Sequence, residues 1–316
     1  GGQPVADLVS GNYGNGITLG AGTSLNSILN NSIGYDRLGL PLLPNSGAAI
    51  AAPGNANFIF GNNTFTVTPT GTGNNPVVPG NGNDLIVANG SPDVILPDTG
   101  GNETIFAFGP VLAAMGSGTM YFVNGNSPST VIGGGSGNAI INGGGGGGLY
   151  AGGTGGANVI VGGAGACTLF GSSGSDLLMA GGAHANLLVA GSGNETLTGA
   201  GSTGANVMYA GSGNDLLGGG AGNETFFAGH GNASVIGGSG ADLYGFINGL
   251  AGGTETVFGF NAAKGDAINL QGYGPNEAQN DLANATVAGG NTTLTLSDHT
   301  QVTFVGVTNL NASAFV

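Results

Sequence analysis

The chain is poor in the residues on which most functional sites depend. Its 316 residues include only two basic side chains, Arg37 and Lys264, one cysteine and no tryptophan. With 16 acidic residues the formal net charge is −14, so binding to nucleic acids or anionic membranes is disfavoured. The single cysteine, Cys167, excludes an intramolecular disulfide and a thiolate metal site. Because the sequence has no apolar run of about 18 residues, it predicts no membrane insertion.

Signatures of catalysis are missing as well. The three histidines, His184, His230 and His299, are far apart, and none belongs to an H-E-x-x-H motif. No G-x-S-x-G motif occurs despite the abundance of glycine and serine. Paired carboxylates are present, but no aromatic-lined cleft accompanies them, as a glycosidase would require. The sequence therefore predicts a protein that is not an enzyme.

Glycine is abundant, and it is periodic. It accounts for 71 residues, and between residues 152 and 246 a unit of nine residues recurs, as in GSSGSDLLM from Gly171, AGSGNDLLG from Ala210 and GGSGADLYG from Gly237. A short fixed period is typical of a solenoid. Glycines at the first, second and fourth places of the unit permit a tight reversal, and three strand residues follow each turn.

Two further positions of the unit recur. The sixth place is mostly acidic or amide, and an apolar residue follows two positions later. The sixth places are Asn158, Cys167, Asp176, Asn186, Glu195, Asn206, Asp215, Glu224, Ala233 and Asp242. The apolar positions are Ile160, Leu169, Leu178, Leu188, Leu197, Met208, Leu217, Phe226, Val235 and Tyr244. Since the middle side chain of a three-residue strand points to one face, the apolar positions predict a stacked interior ladder.

Carboxylates that recur with the turns predict a metal site. Stacked turns bring sixth-place carboxylates close to backbone carbonyls, and such oxygen-rich sites suit a hard divalent cation, above all Ca²⁺. A solvated acidic face is the alternative, although the acids follow the turn period and do not form a run. The candidate ligands form three groups: Asp176, Glu195 and Asp215; Glu224 and Asp242; Asp84, Asp93 and Glu103. The longer arm of glutamate predicts weaker or differently shaped sites.

Between these groups carboxylates are absent. Carried from Glu103 to Asn158, the register places Leu112, Tyr121, Thr130, Ala139 and Gly148 at the sixth place. We therefore expect a continuous array from Asp84 to Asp242 with a calcium-poor centre held by glycine turns and packing.

The units AGSGNDLLG, GSSGSDLLM and GNGNDLIVA resemble the RTX (repeat-in-toxin) calcium-binding nonapeptides, whose pattern is G-G-x-G-x-D-x-U-x. The resemblance implies a parallel β-roll, calcium-dependent folding and export by a type I secretion system. The expected fold class is all-β: a parallel β-roll (β-solenoid) of nine-residue repeats, closed by an antiparallel β cap at the C-terminus.

Three segments are predicted. Residues 1–54 form an N-terminal capping or assembly segment of short strands and loops, 55–250 form the roll, and 251–316 form the C-terminal cap. The cap resembles that of type I secretion substrates, and the resemblance implies that it carries an export signal. The alternative is a plain antiparallel cap without a signal. The matching residues are Phe260, Gly265, Asp266, Ile268 and Leu270.

The strand residues that flank the interior ladder are expected to face solvent, yet many are apolar. They include Leu85, Val87, Val159, Val161, Leu177, Met179, Leu187, Val189, Val207 and Tyr209. Large exposed apolar faces usually mark interfaces. Either the terminal segments cover these faces, or another copy or a partner packs against them.

These features together predict a secreted, calcium-stabilised structural protein that self-assembles outside a bacterial cell as a surface layer, biofilm-matrix fibre or adhesin-like filament. Its expected partners are further copies of itself and the type I exporter. The first alternative is a non-catalytic calcium-binding module of a larger secreted enzyme, which would be monomeric. Ice or carbohydrate binding ranks lower, because the outward positions are mixed aliphatic and form no regular threonine or aromatic ladder.

Overall fold

The structure is a computed structural model that describes residues 100–316 without a gap. Before them it describes residues 8–9, 13, 16–19, 27–29, 32–33, 50–52, 58–64, 66–69, 76–79, 83–88 and 93–96. The chain divides into two compact units, an N-terminal unit (Gly1–Gly156) and a C-terminal unit (Ala157–Val316). Most of the predicted N-terminal segment, residues 1–54, lies outside the described residues.

The N-terminal unit is built from short parallel strands, and from β5 onward each pairs with the next strand but one. In one row β9 pairs with β11, β11 with β13 and β13 with β15; in the other, β10, β12, β14 and β16 follow one another. Parallel pairing also joins β2 to β5 and β5 to β7. The strands are β1 (Leu8–Val9), β2 (Ile17–Thr18), β3 (Ser27–Leu29), β4 (Ser32–Ile33), β5 (Ile50–Ala52), β6 (Phe58–Thr64), β7 (Thr66–Pro69), β8 (Pro76–Pro79), β9 (Asn83–Ala88), β10 (Asp93–Ile95), β11 (Asn102–Ala107), β12 (Val111–Ala114), β13 (Met120–Asn124), β14 (Ser129–Ile132), β15 (Ala139–Asn142) and β16 (Gly148–Ala151).

The C-terminal unit repeats this arrangement. One row runs through β17, β19, β21, β23, β25 and β27, and the other through β18, β20, β22, β24, β26 and β28. The strands are β17 (Val159–Val161), β18 (Cys167–Phe170), β19 (Leu177–Met179), β20 (Leu187–Val189), β21 (Thr196–Thr198), β22 (Val207–Tyr209), β23 (Asn214–Gly218), β24 (Thr225–Phe227), β25 (Asn232–Ile236), β26 (Leu243–Ile247), β27 (Thr254–Phe258), β28 (Ala267–Gln271), β29 (Thr286–Ala288), β30 (Asn291–Thr295) and β31 (Gln301–Val305).

The interior ladder that the sequence predicts is present. All ten apolar positions from Ile160 to Tyr244 are buried, and alternate members face each other across paired strands, as Leu178 faces Leu197 and Leu188 faces Met208. Each turn reverses the chain, so the two rows share one interior. The all-β, parallel-solenoid fold class is thus confirmed.

The C-terminal end combines parallel and antiparallel pairing. Although the repeat pattern fades near residue 250, β27 and β28 still pair in parallel with β25 and β26. β31 then adds to β27 in parallel, and β30 and β29 follow in antiparallel order. A short helix, α1 (Glu277–Ala283), and two 3-10 turns, Ala262–Lys264 and Ala312–Ala314, complete the end. Among the described residues no helix is long and apolar enough to cross a membrane.

The register predicted for part of the central stretch is wrong by one residue. Glu103 faces Met120, not Tyr121, and Asp93 faces Val111, not Leu112. Likewise Ser129, not Thr130, stands opposite the correctly placed Gly148. A slip of one residue moves a side chain to the other face of a strand, which explains why Leu112 and Tyr121 are exposed and lie outside the interior.

Candidate metal centre

All eight carboxylates predicted as calcium ligands are buried at the starts of strands, where each turn ends. None exposes more than 4 % of its surface: Asp84, Asp93, Glu103, Asp176, Glu195, Asp215, Glu224 and Asp242. These side chains therefore do not form a solvated acidic face. Charged groups are rarely buried without a partner, so the contacts of these carboxylates decide what the site can bind.

The sixth-place residues of alternate units stack along each edge of the solenoid; we call each one a rung and the stack the turn ladder. Along one edge, each rung hydrogen-bonds to the next. The backbone N–H of Asn158 donates to Asp176 Oδ1 at 2.8 Å, and that of Glu195 donates to Asp215 Oδ1 at 2.9 Å. The second oxygen of each aspartate turns back into its own turn. Asp176 Oδ2 accepts from the N–H of Ser172 at 2.6 Å, and Asp215 Oδ2 accepts from the N–H of Gly211 at 2.7 Å. Asp176, Glu195 and Asp215 thus stand on successive rungs, as predicted.

The other edge begins with neutral rungs. The N–H of Cys167 donates to Asn186 Oδ1 at 2.9 Å, and Asn186 Nδ2 donates to Asn206 Oδ1 at 2.9 Å. Amide side chains supply both donors and acceptors, so this part of the ladder satisfies itself without a charge.

The same edge then becomes acidic. The N–H of Glu224 donates to Asp242 Oδ1 at 2.9 Å, and that of Asp242 donates to Asp266 Oδ1 at 3.0 Å. The structure therefore brings Glu224 and Asp242 together, as the sequence predicts, and adds Asp266 as a further rung.

The two glutamates of these edges leave oxygen atoms without a hydrogen bond. Glu195 Oε1 accepts from the N–H of Gly193 at 2.8 Å, and Glu224 Oε1 accepts from Asn206 Nδ2 at 3.2 Å. The remaining atoms, Glu195 Oε2 and Glu224 Oε2, are buried and have no partner.

Nothing basic compensates these charges within the C-terminal unit. Its single lysine or arginine, Lys264, is exposed. Burial, together with the nearby Asp266 and Glu224, raises the pKa of Asp242 to about 6. Burial, together with the adjacent Asp215, raises the pKa of Glu195 as well. The site therefore favours positive charge, supplied either by protons or by a cation.

Glu255 is an acidic rung that sequence reasoning missed. It stands opposite Ala233, which in turn stands opposite Asp215. Its carboxyl faces the N–H of Ala233, but neither oxygen is close or aligned enough for a hydrogen bond. Burial raises its pKa to about 8, with a contribution from Asp215. The signal available in the sequence was the Gly-Gly-x-Glu string from Gly252, whose glutamate lies 22 residues after Ala233, the previous rung of its edge.

In the N-terminal unit, Asp84 and Glu103 are neighbours on one row, since β9 and β11 pair with these residues in register. Asp93 lies in the other row, opposite Val111. The structure therefore places Asp84 and Glu103 on one edge and Asp93 on the other. Farther along, Asn124 Nδ2 donates to Tyr150 Oη at 3.0 Å, a neutral contact where the sequence predicts a calcium-poor centre.

The residues around Glu224 fit an oxygen-seeking divalent cation. Gly219 and Gly237 leave open the space around Glu224 Oε2 and the Asp242 carboxylate, which lie 3.0 and 2.7 Å from where a Cβ would stand on each glycine. The hydroxyl of Tyr244 borders the same space and has no hydrogen bond. No three acidic, histidine or cysteine side chains converge into a metal cluster in the part of the chain that the structure describes. Turn carbonyls would therefore have to complete a site, as Ca²⁺ permits.

Comparison with known proteins bears on the repeats. A sequence model described as RTX calcium-binding nonapeptide repeat (4 copies) matches residues 152–184, 180–217, 189–226, 200–235 and 218–244. No curated protein sequence matches the chain significantly. Among solved structures, the extracellular lipase LipA from Serratia marcescens aligns with 19 % identity and a TM-score of 0.29. That alignment covers 76 % of this chain and 40 % of the lipase chain, so the chain spans less than half of the lipase. Residues 152–244 are accordingly RTX calcium-binding nonapeptide repeats.

Proposed function

We propose that the chain is a non-catalytic structural protein whose solenoid folds when Ca²⁺ binds its turns, and that it acts outside a bacterial cell. The observation that carries this proposal is that acidic side chains are buried without a lysine or arginine beside them. Nine of the ten acidic residues in the C-terminal unit are buried, and its only lysine is exposed. Several kcal/mol oppose the burial of each uncompensated charge, so the charged fold needs a cation.

Calcium suits this role for two chemical reasons. The buried donors are carboxylates beside backbone carbonyls, and Ca²⁺ accepts six to eight such oxygens in flexible geometry. Glu195 and Asp215 would hold it on one edge, and Glu224 and Asp242 on the other. Binding there neutralises the acids and ties successive coils together.

The expected location follows from the coupling of calcium binding to folding. Calcium-binding modules of extracellular type bind with dissociation constants on the order of 10⁻⁴–10⁻³ M. A chain that needs calcium to fold stays unfolded where calcium is scarce and folds after export. Phe260, Gly265 and Asp266, which match the cap of type I secretion substrates, favour that export route.

Apolar surface supports self-assembly. The flanking residues named from the sequence are half-buried by their neighbours on adjacent coils, but other outward side chains are more exposed. In the C-terminal unit Ile236 and Phe258 are adjacent on paired strands and expose 47 % and 39 % of their surfaces. Contiguous apolar surface of this kind favours contact with another copy.

Light scattering during a calcium titration tests the assembly. We expect particles larger than a monomer to form once calcium is present, and the double variant I236S/F258S to reduce them while keeping its strand signal in circular dichroism. The variant T256S, on the same strand as Phe258, is the control and should assemble like the parent. A parent chain that folds with calcium but stays monomeric would contradict self-assembly and favour a calcium-binding module of a larger secreted protein.

A further inference from the structure

A second acidic cluster lies outside the repeats, between α1 and the loop that joins β30 to β31. Glu277 Oε1 accepts a hydrogen bond from the backbone N–H of Ser297 at 2.6 Å. The next residue, Asp298, accepts from Tyr273 Oη at 2.5 Å and from the N–H of Thr300 at 3.1 Å. Glu277, on α1, is thereby tied to the short loop that carries Asp298.

Asp281 joins this cluster from the helix. It follows Glu277 by four residues, so both side chains lie on one face of α1. Only 5 % of Asp281 is exposed, and its Oδ2 has no hydrogen-bond partner. Burial, with repulsion from Glu277 and Asp298, raises the pKa of Asp281 to about 6. Its carboxyl therefore lies near the other two, and its second oxygen has no hydrogen bond.

The cluster has oxygen donors but no positive charge. Lys264, the one lysine or arginine of the C-terminal unit, is exposed. Thr300 contributes a fully buried hydroxyl group, and its backbone already binds Asp298. Repulsion from the other two carboxylates disfavours the charged form of Asp281, and a cation between the three would relieve it.

We propose that Glu277, Asp281 and Asp298 bind a divalent cation, Ca²⁺ in the first place, between α1 and the β30–β31 loop. The site is separate from the turn ladder and lies beyond the residues that match the repeat family. The three carboxylates do not meet at one point in the described structure, so binding requires Asp281, whose Oδ2 is unbound, to turn towards the others. The ion would fasten the helix to the loop.

The test compares D281N with the parent chain by native mass spectrometry in calcium and by thermal unfolding with and without calcium. D281N removes a buried repulsion, so we expect it to unfold a few degrees higher than the parent in chelator. In calcium we expect it to bind one ion fewer and to gain less stability than the parent. E277Q should behave in the same way. N280D adds an exposed acid to the same helix and should leave the ion count unchanged.

Other outcomes would overturn the proposal. If D281N and E277Q keep the full ion count and are stabilised equally in both conditions, the cluster is only a strained acidic contact. The repeat ladder is tested separately by D242N, whose lost ion would come from the turns. A chain that loses an ion with D242N but none with D281N refutes the cap site alone, and a parent that binds no calcium refutes both proposals.

A measurement on the folded chain guards against variants that fail to fold. Terbium binds at calcium sites and is excited through nearby tyrosines, and the chain has no tryptophan to interfere. Since Tyr273 bonds directly to Asp298, Y273F should remove part of the sensitised emission. Emission that is identical in Y273F would count against an ion at this cluster.

Discussion

At the scale of single residues, two interior tyrosines have opposite hydroxyl environments. Tyr150 Oη accepts from Asn124 Nδ2 at 3.0 Å and donates to the carbonyl of Gly147 at 3.1 Å. Tyr244 Oη is buried and has no hydrogen bond. Burial and the nearby Asp266 and Asp242 raise the pKa of Tyr244, so its hydroxyl stays protonated.

We therefore expect a matched pair of substitutions to differ in chelator at about pH 5, where protonated acids favour the folded chain. Y150F should lower the free energy of unfolding by about 1–2 kcal/mol, because it leaves a buried amide donor with fewer partners. Y244F should be neutral or slightly stabilising, because no hydrogen bond is lost. Urea unfolding measures both, and an equal loss in the two variants would show that the Tyr244 hydroxyl has a partner.

The glycines of the turns also differ in what surrounds them. A Cβ on Gly237 would collide with the Tyr244 hydroxyl and press on the Asp242 carboxylate, whereas Gly274 has open space around it. Neither glycine has a positive φ, so space alone separates the two.

G237A is accordingly expected to destabilise the C-terminal unit by about 1–3 kcal/mol, the usual range for overpacking, and to weaken its calcium response. G274A should do neither. Calcium titration of both variants by circular dichroism measures this, and a normal calcium response in G237A would argue that the space around Glu224 and Asp242 is not a binding site.

At the scale of elements, the turn ladder links strands through charged groups that prefer to be neutral. The pKa of Glu255 on β27 is raised to about 8 from its ordinary value of 4.5, chiefly by burial, and that of Asp242 to about 6 from 3.8. The folded state therefore binds protons that the unfolded chain releases. Stability from these groups is fully present below their ordinary pKa values and is lost as pH rises through the raised ones.

In chelator, the free energy of unfolding should thus fall as pH rises from about 4 to about 8. In saturating calcium the slope should vanish or reverse, because calcium binds the deprotonated carboxylates. Urea unfolding at several pH values in both buffers tests this. Stability in chelator that rises over this range would contradict the uncompensated burial of these acids.

The sequence predicts the elements where its period is intact. From Asn158 to Asp242 the pattern places every interior residue and every rung correctly, because glycines and mostly acidic or amide residues mark the units although rungs of a row are 18 to 20 residues apart. The prediction slips at Leu112, Tyr121 and Thr130, where no acid or glycine pair marks the register and successive rungs of a row are 17, 18 or 19 residues apart. A repeat that varies in length cannot be aligned by counting.

Beyond residue 250 the same physical limit applies to the candidate sites. Asp266 follows Asp242 by 24 residues and was recognised only as part of the cap motif, although it accepts the N–H of Asp242. Helix α1 has only seven residues, which is too short for a clear helical period in the sequence. Its acidic cluster forms through tertiary contact with the β30–β31 loop, which no local pattern reveals.

At the scale of the whole molecule, the net charge is −14, and most of the acidic side chains that the structure describes are buried. Twelve of the thirteen acidic residues that the structure describes are buried: Asp84, Asp93, Glu103, Asp176, Glu195, Asp215, Glu224, Asp242, Glu255, Asp266, Glu277 and Asp281. The thirteenth, Asp298, is half-buried. Folding must therefore bring these charges together as well as bury apolar side chains, and a cation that binds only the folded state would stabilise it by mass action.

The most direct test of this account is far-ultraviolet circular dichroism of the full chain at about pH 8, first in chelator and then through a calcium titration into the millimolar range. The account predicts little strand signal in chelator and a cooperative gain of strand signal as calcium is added, with magnesium at the same concentration as the control. A full strand signal in chelator at that pH, unchanged by calcium, would contradict the claim that calcium binding drives the folding of the solenoid.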